Sequence, residues 1–190
     1  MAKSNPLNEA NFEDSVVAAL AASPFYSARD PQHFDAAALL DIELLWDFIE
    51  ATQPKELIKL RKQFPDSPRA ALAGHVAGLI QKRGTLDVLR NGASFSGVNL
   101  QLAYFRPAAG GNQEHQTRYE QNRFAVMRQA HFSTRTPDQS VDVVILLNGL
   151  PILSVELKNH FTGQNPLCQD RCRLLFEELC TVAGVPICLR

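Results

Sequence analysis

The stretch from residue 141 to residue 158 restricts the fold most. Two runs of leucine and β-branched residues flank the dipeptide Asn148-Gly149. Asn-Gly between apolar runs is the most specific local signal for a β-hairpin, because both residues tolerate the positive φ angles of a tight turn. Three charges, Asp142, Glu156 and Lys158, interrupt these apolar strands. Burial of an unpaired charge costs several kcal/mol, so the three charges require a partner or a function.

The length of the turn decides which face of the hairpin carries Asp142. A two-residue turn pairs Leu147 with Leu150 and leaves Asp142 on the other face from Glu156. A three-residue loop, or a bulge at Leu150, pairs Leu147 with Pro151. Asp142 then lies directly opposite Glu156, about 5 Å away. We favour this second register, because it gathers the charges on one face and because Pro151 cannot donate a ladder hydrogen bond.

The favoured register predicts a metal site. Side chains alternate along a strand, so Glu156 and Lys158 share a face and Leu157 points the opposite way. The carboxylates of Asp142 and Glu156 would repel each other unless a cation lay between them. Oxygen ligands of this kind suit Mg²⁺.

An Asp followed fourteen positions later by Glu-x-Lys across a hairpin resembles the PD-(D/E)xK signature of restriction-endonuclease-like nucleases. Six segments around this signature carry a longer pattern: Phe12-Glu13-Asp14, Ala51-Thr52-Gln53-Pro54, Arg83-Gly84-Thr85-Leu86-Asp87-Val88-Leu89-Arg90, Leu102-Ala103-Tyr104-Phe105-Arg106-Pro107-Ala108, Tyr119-Glu120-Gln121-Asn122-Arg123 and Glu156-Leu157-Lys158-Asn159-His160-Phe161-Thr162-Gly163-Gln164. On these segments the sequence from about Leu7 to Gln164 resembles the N-terminal nuclease domain of the R (restriction) subunit of type I restriction-modification systems.

The resemblance implies an active site that hydrolyses DNA phosphodiester bonds with Mg²⁺, in defence against foreign DNA. Asp142 and Glu156 would hold the metal together with the backbone carbonyl of Leu157. Lys158 would orient the attacking water and stabilise negative charge. Glu13, on the first helix, would either reach the metal or be a solvated carboxylate at the start of a helix.

The same resemblance implies partners and a cofactor outside this sequence. We expect double-stranded DNA and the methyltransferase and specificity subunits of a type I complex. ATP would act through a separate motor, because the sequence has no G-x-x-x-x-G-K-[S/T] motif. A formal charge of −1 and 45% apolar residues indicate an ordinary soluble protein, and no apolar run is long enough to span a membrane. Met1-Ala2-Lys3-Ser4-Asn5 does not resemble a signal peptide, so we expect reduced cysteines and a cytoplasmic protein.

We expect one domain over residues 1–190, with a helical part at about 8–92 and a sheet core at about 98–190. The predicted fold class is α/β, a restriction-endonuclease-like mixed sheet flanked by helices, with the helical part as an N-terminal elaboration. One predicted helix begins near Asn8 or Asn11, and a second begins after Asp41. The other predicted helices span 54–63, 68–83, 113–123 and 170–181. The predicted strands lie at 98–105, 125–132, 141–147, 151–158 and 185–189.

Other patterns leave alternatives open. Trp46 is predicted to lie in the core rather than to stack on a base. A positive excess in the helical part is either a solvated face or a set of phosphate contacts. It consists of Lys55, Lys59, Arg61, Lys62, Arg69, Lys82 and Arg83.

The sequence departs from the family pattern after residue 164. The family has a Gln-x-x-x-Tyr motif after the catalytic strand, whereas here Gln169 is followed at that spacing by Arg173. All four cysteines lie in the same segment, without the spacing of a zinc site. We therefore expect a divergent, truncated or out-of-frame end. The alternative function is a catalytically inactive, truncated nuclease-fold remnant that binds DNA or partner subunits.

Overall fold

The computed structural model describes residues 9–107 and 112–157, and within them it confirms a mixed α/β architecture. A short 3₁₀ turn spans Pro31–His33. The described α-helices are α1 (Glu9–Ala21), α2 (Ile42–Thr52), α3 (Pro54–Gln63), α4 (Pro68–Arg83), α5 (Thr85–Asn91) and α6 (Gln113–Glu120). The described strands are β1 (Tyr26–Arg29), β2 (Ala93–Phe95), β3 (Val98–Leu100), β4 (Phe124–His131), β5 (Ser140–Leu147) and β6 (Leu150–Val155).

Four of these strands form one sheet in the order β1-β4-β5-β6, and β2 and β3 form a separate hairpin. β1 runs parallel to β4, whereas the β4–β5 and β5–β6 pairs are antiparallel. Residues 143–147 of β5 are all buried, so both faces of this inner strand are covered. Asp142 lies directly before that buried run and is half-buried.

Local signals explain the helix boundaries. The carboxylate of Asp41 caps α2 by accepting a 2.9 Å hydrogen bond from the N–H of Leu44. Pro54 and Pro68 occupy the first positions of α3 and α4, where the missing N–H costs nothing. Gly84 ends α4 with a φ of 80°, a conformation that glycine adopts without strain. The predicted bounds of α3 and α4 are confirmed.

The main core lies between the helices and the turn end of the β5–β6 hairpin. Trp46 is 2% exposed, which confirms it as a core residue. α1 lies against β1, β4 and β5. No helix in the described ranges combines the length and apolar composition that crossing a bilayer requires.

The β5–β6 turn differs from the prediction. Leu147 pairs with Leu150, so the loop has two residues and the three-residue loop is wrong. The register shifts further along, because Leu146 pairs with Pro151 whereas Ile145 pairs with Leu153. The extra residue is thus Ile152, and the predicted bulge at Leu150 is misplaced. Asn148 and Gly149 supply the positive φ angles, 51° and 86°, of a tight turn.

The strand predicted over 98–105 is also wrong in extent, because β3 ends at Leu100. The side chain of Gln53 explains the ending. Its Oε1 accepts from the N–H of Gln101 and its Nε2 donates to the carbonyl of Gln101, both at 2.8 Å. A side-chain amide therefore satisfies the backbone groups that a neighbouring strand would otherwise pair.

The hairpin turn is buried and held by polar groups. Asn148 is fully buried; its Oδ1 accepts from the N–H of Arg123 at 2.7 Å. Its Nδ2 donates to the carbonyl of Leu102 at 2.9 Å and to Oδ1 of Asn122 at 3.0 Å. The side chain of Asn122 in turn bonds both the N–H and the carbonyl of Tyr104. Three chain segments thus meet at one turn.

Candidate functional site

The hairpin register places Asp142 opposite Glu156. Val143 pairs with Val155, and one further step in the same antiparallel register sets the two acidic residues across from each other. Glu156 directly follows the last residue of β6 and is exposed. The bulge at Ile152 therefore produces the juxtaposition that we predicted, although by a different route from the predicted loop.

Asp142 is held by the chain that follows β6. Its Oδ2 accepts a 2.6 Å hydrogen bond from the backbone N–H of Leu157. Leu157 thus contacts Asp142 through its backbone N–H. The metal-binding role of the Leu157 carbonyl stays a prediction. Lys158 is the next residue along the chain and lies outside the described residues. The strand predicted over 151–158 ends at Val155 in the structure.

Glu13 lies at the same place, although it belongs to α1. Its side chain is buried, with 4% of the residue exposed, so the interpretation as a solvated carboxylate is wrong. Its Oε2 accepts from Nη2 of Arg128 and from Nε2 of Gln129, each at 3.0 Å. A buried carboxylate requires this compensation. Its predicted contribution to a metal site stays a prediction.

Gln129 connects Glu13 to Asp142. β4 pairs Arg128 with Val143 and Ala130 with Val141, which sets Gln129 directly opposite Asp142. The Nε2 of Gln129 lies 3.5 Å from Oδ1 of Asp142, a long hydrogen bond. The backbone of Gln129 has a φ of 48°, which is uncommon for a residue other than glycine.

Arg128 ties the start of α1 to β4. Its guanidinium donates to Glu13 and also forms an ion pair with Asp14. The sequence prediction assigned no role to Arg128 or Gln129. The available signal was two adjacent polar residues within the otherwise apolar run of β4.

The donor set fits a hard cation in chemistry, because Glu13, Asp142 and Glu156 all offer carboxylate oxygens. Within residues 9–107 and 112–157, however, no three His, Cys, Asp or Glu side chains are grouped closely enough to hold a metal. In the observed contacts, the side-chain amide of Gln129 joins the carboxylates of Glu13 and Asp142. Arg128 forms an ion pair with Glu13. The metal-binding roles of Asp142, Glu156 and Glu13 therefore remain predictions.

Three basic residues of the helical part, Lys59, Arg61 and Arg69, have local partners. Lys59 pairs with Glu56 at 2.7 Å, and Arg61 pairs with Glu50 at 2.8 Å. The guanidinium groups of Arg61 and Arg69 lie 5.3 and 5.2 Å from the centre of the Trp46 ring. These contacts explain part of the positive excess by local pairing, and a role in DNA binding stays a prediction.

Among the described residues, two ionisable groups outside the site have shifted pKa values. A hydrogen bond from Arg83 is the largest cause that lowers the pKa of Asp87, a partly exposed carboxylate in α5. A hydrogen bond to the fully buried Asp41 is the largest cause that raises the pKa of Arg29. The second pair joins β1 to the start of α2 and is structural.

His160, Gln169 and the four cysteines lie outside the described residues, as do the helix predicted at 170–181 and the strand predicted at 185–189.

Comparison with known proteins places the chain in a family. The family model described as "Type I restriction enzyme R protein N terminus" matches residues 70–167, just over half of the 190 residues. This range contains Asp142, Glu156 and Lys158, and it begins after Glu13, so it supports a shorter part of the resemblance than Leu7 to Gln164. Neither the curated proteins nor the solved structures gave a significant match. The chain therefore belongs to the family of the type I restriction enzyme R protein N terminus.

Proposed function

We propose that this chain is the nuclease domain of a type I restriction enzyme R subunit and that it hydrolyses DNA phosphodiester bonds with Mg²⁺. The observation that carries the proposal is the register of the β5–β6 hairpin. It sets Asp142 opposite Glu156, with the N–H of Leu157 bonded to Asp142. The family match contributes the restriction-enzyme context.

Each residue of the site has one role in this proposal. Asp142 and Glu156 hold the metal, and the hydrogen bond from Leu157 fixes the orientation of Asp142. Mg²⁺, when bound, polarises the scissile phosphate and lowers the pKa of a water ligand. Lys158, one residue beyond Leu157, carries the positive charge that orients the attacking water and stabilises charge on the phosphate.

The proposal extends to the assembly that the family name implies. In a full-length R subunit, cleavage would be coupled to ATP-driven translocation by a motor that this sequence lacks. The DNA recognition sequence would be read by a specificity subunit, with a methyltransferase subunit in the same complex. Double-stranded DNA is the proposed substrate.

A plasmid assay tests the proposal. The purified chain is incubated with supercoiled plasmid and Mg²⁺, beside Lys158→Ala and Arg118→Ala. Arg118 is the control, because it is an exposed cation of α6 that pairs with Glu114 and does not belong to the positive excess of the helical part. We expect nicking by the wild type and by Arg118→Ala, and none by Lys158→Ala. Nicking by Lys158→Ala at the wild-type rate would contradict the assigned site.

A second candidate function is a nuclease-fold chain that binds DNA or partner subunits without cleavage. Two observations favour it. The sequence lacks the Gln-x-x-x-Tyr motif, and in the structure Arg128 already neutralises Glu13. A metal titration separates the two functions, since an inactive chain does not require a bound cation. Tight Mg²⁺ binding at Asp142 and Glu156 would favour the nuclease.

A further inference from the structure

We propose that Gln129 is a positioning residue of this site, whose side-chain amide fixes the carboxylates of Glu13 and Asp142 relative to each other. The inference rests on the proposed function, because it assumes that Asp142 helps to hold a cation. It concerns a residue to which neither the family motif nor the sequence pattern assigns a role.

The first argument is the direction of the amide. A side-chain amide nitrogen carries two hydrogens and can serve two acceptors. Here Nε2 of Gln129 lies 3.0 Å from a carboxylate oxygen of Glu13 and 3.5 Å from one of Asp142, so the amide nitrogen serves both carboxylates. The hydroxyl of Ser140 donates to Oε1 of the same amide. A flip of the amide would turn Oε1 toward the two negative charges, and this repulsion fixes the direction of the amide.

The second argument is the backbone of Gln129. Its φ of 48° falls in the left-handed region, in the interior of a strand whose register continues unchanged on both sides. Glutamine has no intrinsic preference for this conformation. Strained residues of this kind persist where the surrounding structure holds them, and they are concentrated at functional sites. Gln129 is directly opposite Asp142, the residue predicted to bind the metal.

The third argument is the charge balance. Arg128 already pairs with the buried carboxylate of Glu13 at 3.0 Å, so this carboxylate has a charged partner without Gln129. The contact from Gln129 has another consequence: it joins α1 to the strand that carries Asp142. Groups that orient a metal ligand in this way are expected to change metal affinity about 10- to 100-fold when they are removed.

Two variants of the full chain test the proposal. Gln129→Asn keeps an amide and tolerates the left-handed backbone, but it is shorter by one methylene and cannot reach both carboxylates. Gln129→Gly removes the amide and the backbone strain together. The matched control is Gln116→Asn, because Gln116 also donates to a carboxylate, that of Glu120 at 2.7 Å, on the exposed α6.

The primary measurement is binding of Mn²⁺ alone, followed by the loss of its free electron paramagnetic resonance signal. Urea unfolding is measured on the same samples. We expect both Gln129 variants to bind Mn²⁺ about tenfold more weakly or worse, and Gln129→Gly to unfold at no lower urea concentration than the wild type. Gln116→Asn should bind as the wild type does. A role in stability alone would instead lower the unfolding midpoint and leave Mn²⁺ affinity unchanged.

The outcomes separate this inference from the proposed function. Wild-type affinity for Mn²⁺ in Gln129→Asn would overturn the inference and leave the nuclease proposal standing. The chain could bind Mn²⁺ in a way that depends on Gln129 and yet fail to nick plasmid. That result would support the inference and count against the nuclease proposal. A wild-type chain that binds no Mn²⁺ would overturn both.

Discussion

Replacement of Gly149 by alanine tests the packing of the hairpin turn against α2. The carbonyl of Gly149 accepts a 2.9 Å hydrogen bond from the N–H of Asp41. A Cβ on Gly149 would overlap the carbonyl oxygen of Asp41 and lie 2.9 Å from the backbone nitrogen of Leu45. Both obstacles are backbone atoms at the start of a buried helix, so neither can rotate out of the way.

The expected loss follows from two effects. A φ of 86° places alanine in the left-handed region, at roughly 1–2 kcal/mol. Overpacking against rigid atoms costs a further 1–3 kcal/mol or so. We therefore expect Gly149→Ala to lower the free energy of unfolding by about 3 kcal/mol or more, a large part of the roughly 5–15 kcal/mol typical of a domain.

Urea unfolding followed by tryptophan fluorescence measures this loss. Trp46 is the single tryptophan, is buried and belongs to α2, the helix that the new methyl group would displace. Gly74→Ala is the matched control: it makes the same substitution in α4, where a Cβ would meet no atom within 4 Å. A helix-interior glycine replaced by alanine should gain roughly 0.5–1 kcal/mol. The reasoning would be refuted if Gly149→Ala unfolded at the wild-type urea concentration.

Two further predictions concern single polar groups. Asn148→Ala should lower the free energy of unfolding by roughly 2–5 kcal/mol, because it leaves the N–H of Arg123 and the carbonyl of Leu102 without their bonds; urea unfolding with an unchanged midpoint would contradict this. Arg83 lowers the pKa of Asp87, so that pair stabilises the fold above the unfolded-state pKa and loses its effect as pH falls through the lower folded-state pKa. The melting temperature of Asp87→Asn should therefore be lower than that of the wild type at pH 7 and equal to it at about pH 2. A difference of equal size at both pH values would count against the ion pair.

The features that the sequence predicted well are those with a local cause. Pro54 and Pro68 fix helix starts by their geometry, Gly84 ends a helix, and Asp41 caps the next one. Asn148-Gly149 likewise predicted the hairpin. Each signal acts within a few residues, so it can be found without knowledge of the tertiary structure.

The features that were missed depend on distant parts of the chain. β1 has only four residues, and its strand character comes from parallel pairing with β4, about a hundred residues later. The bulge at Ile152 could not be told from a longer loop, because both give the same shift between Asp142 and Glu156. β3 is short because Gln53 satisfies the backbone at Gln101.

The candidate site shows the same division. The spacing of Asp142, Glu156 and Lys158 along the chain drew attention to them, and the hairpin register explains why two of them meet. Gln129 could be noticed only as a polar residue in an apolar strand. Its contact with Glu13 depends on the docking of α1 on the sheet, which no pattern in the strand predicts. Its left-handed backbone likewise has no local signal in the sequence.

The buried turn also limits what family membership implies about activity. Two segments that carry the resemblance, at 102–108 and 119–123, supply groups that bond Asn148 or Asn122. These residues support the fold, and an active chain and an inactive one require them equally. The part of the family match that these two segments supply therefore favours neither proposed function over the other. The groups around Asp142 do distinguish the two functions, which is why binding of Mn²⁺ by the wild type and by Gln129→Asn is the most informative comparison.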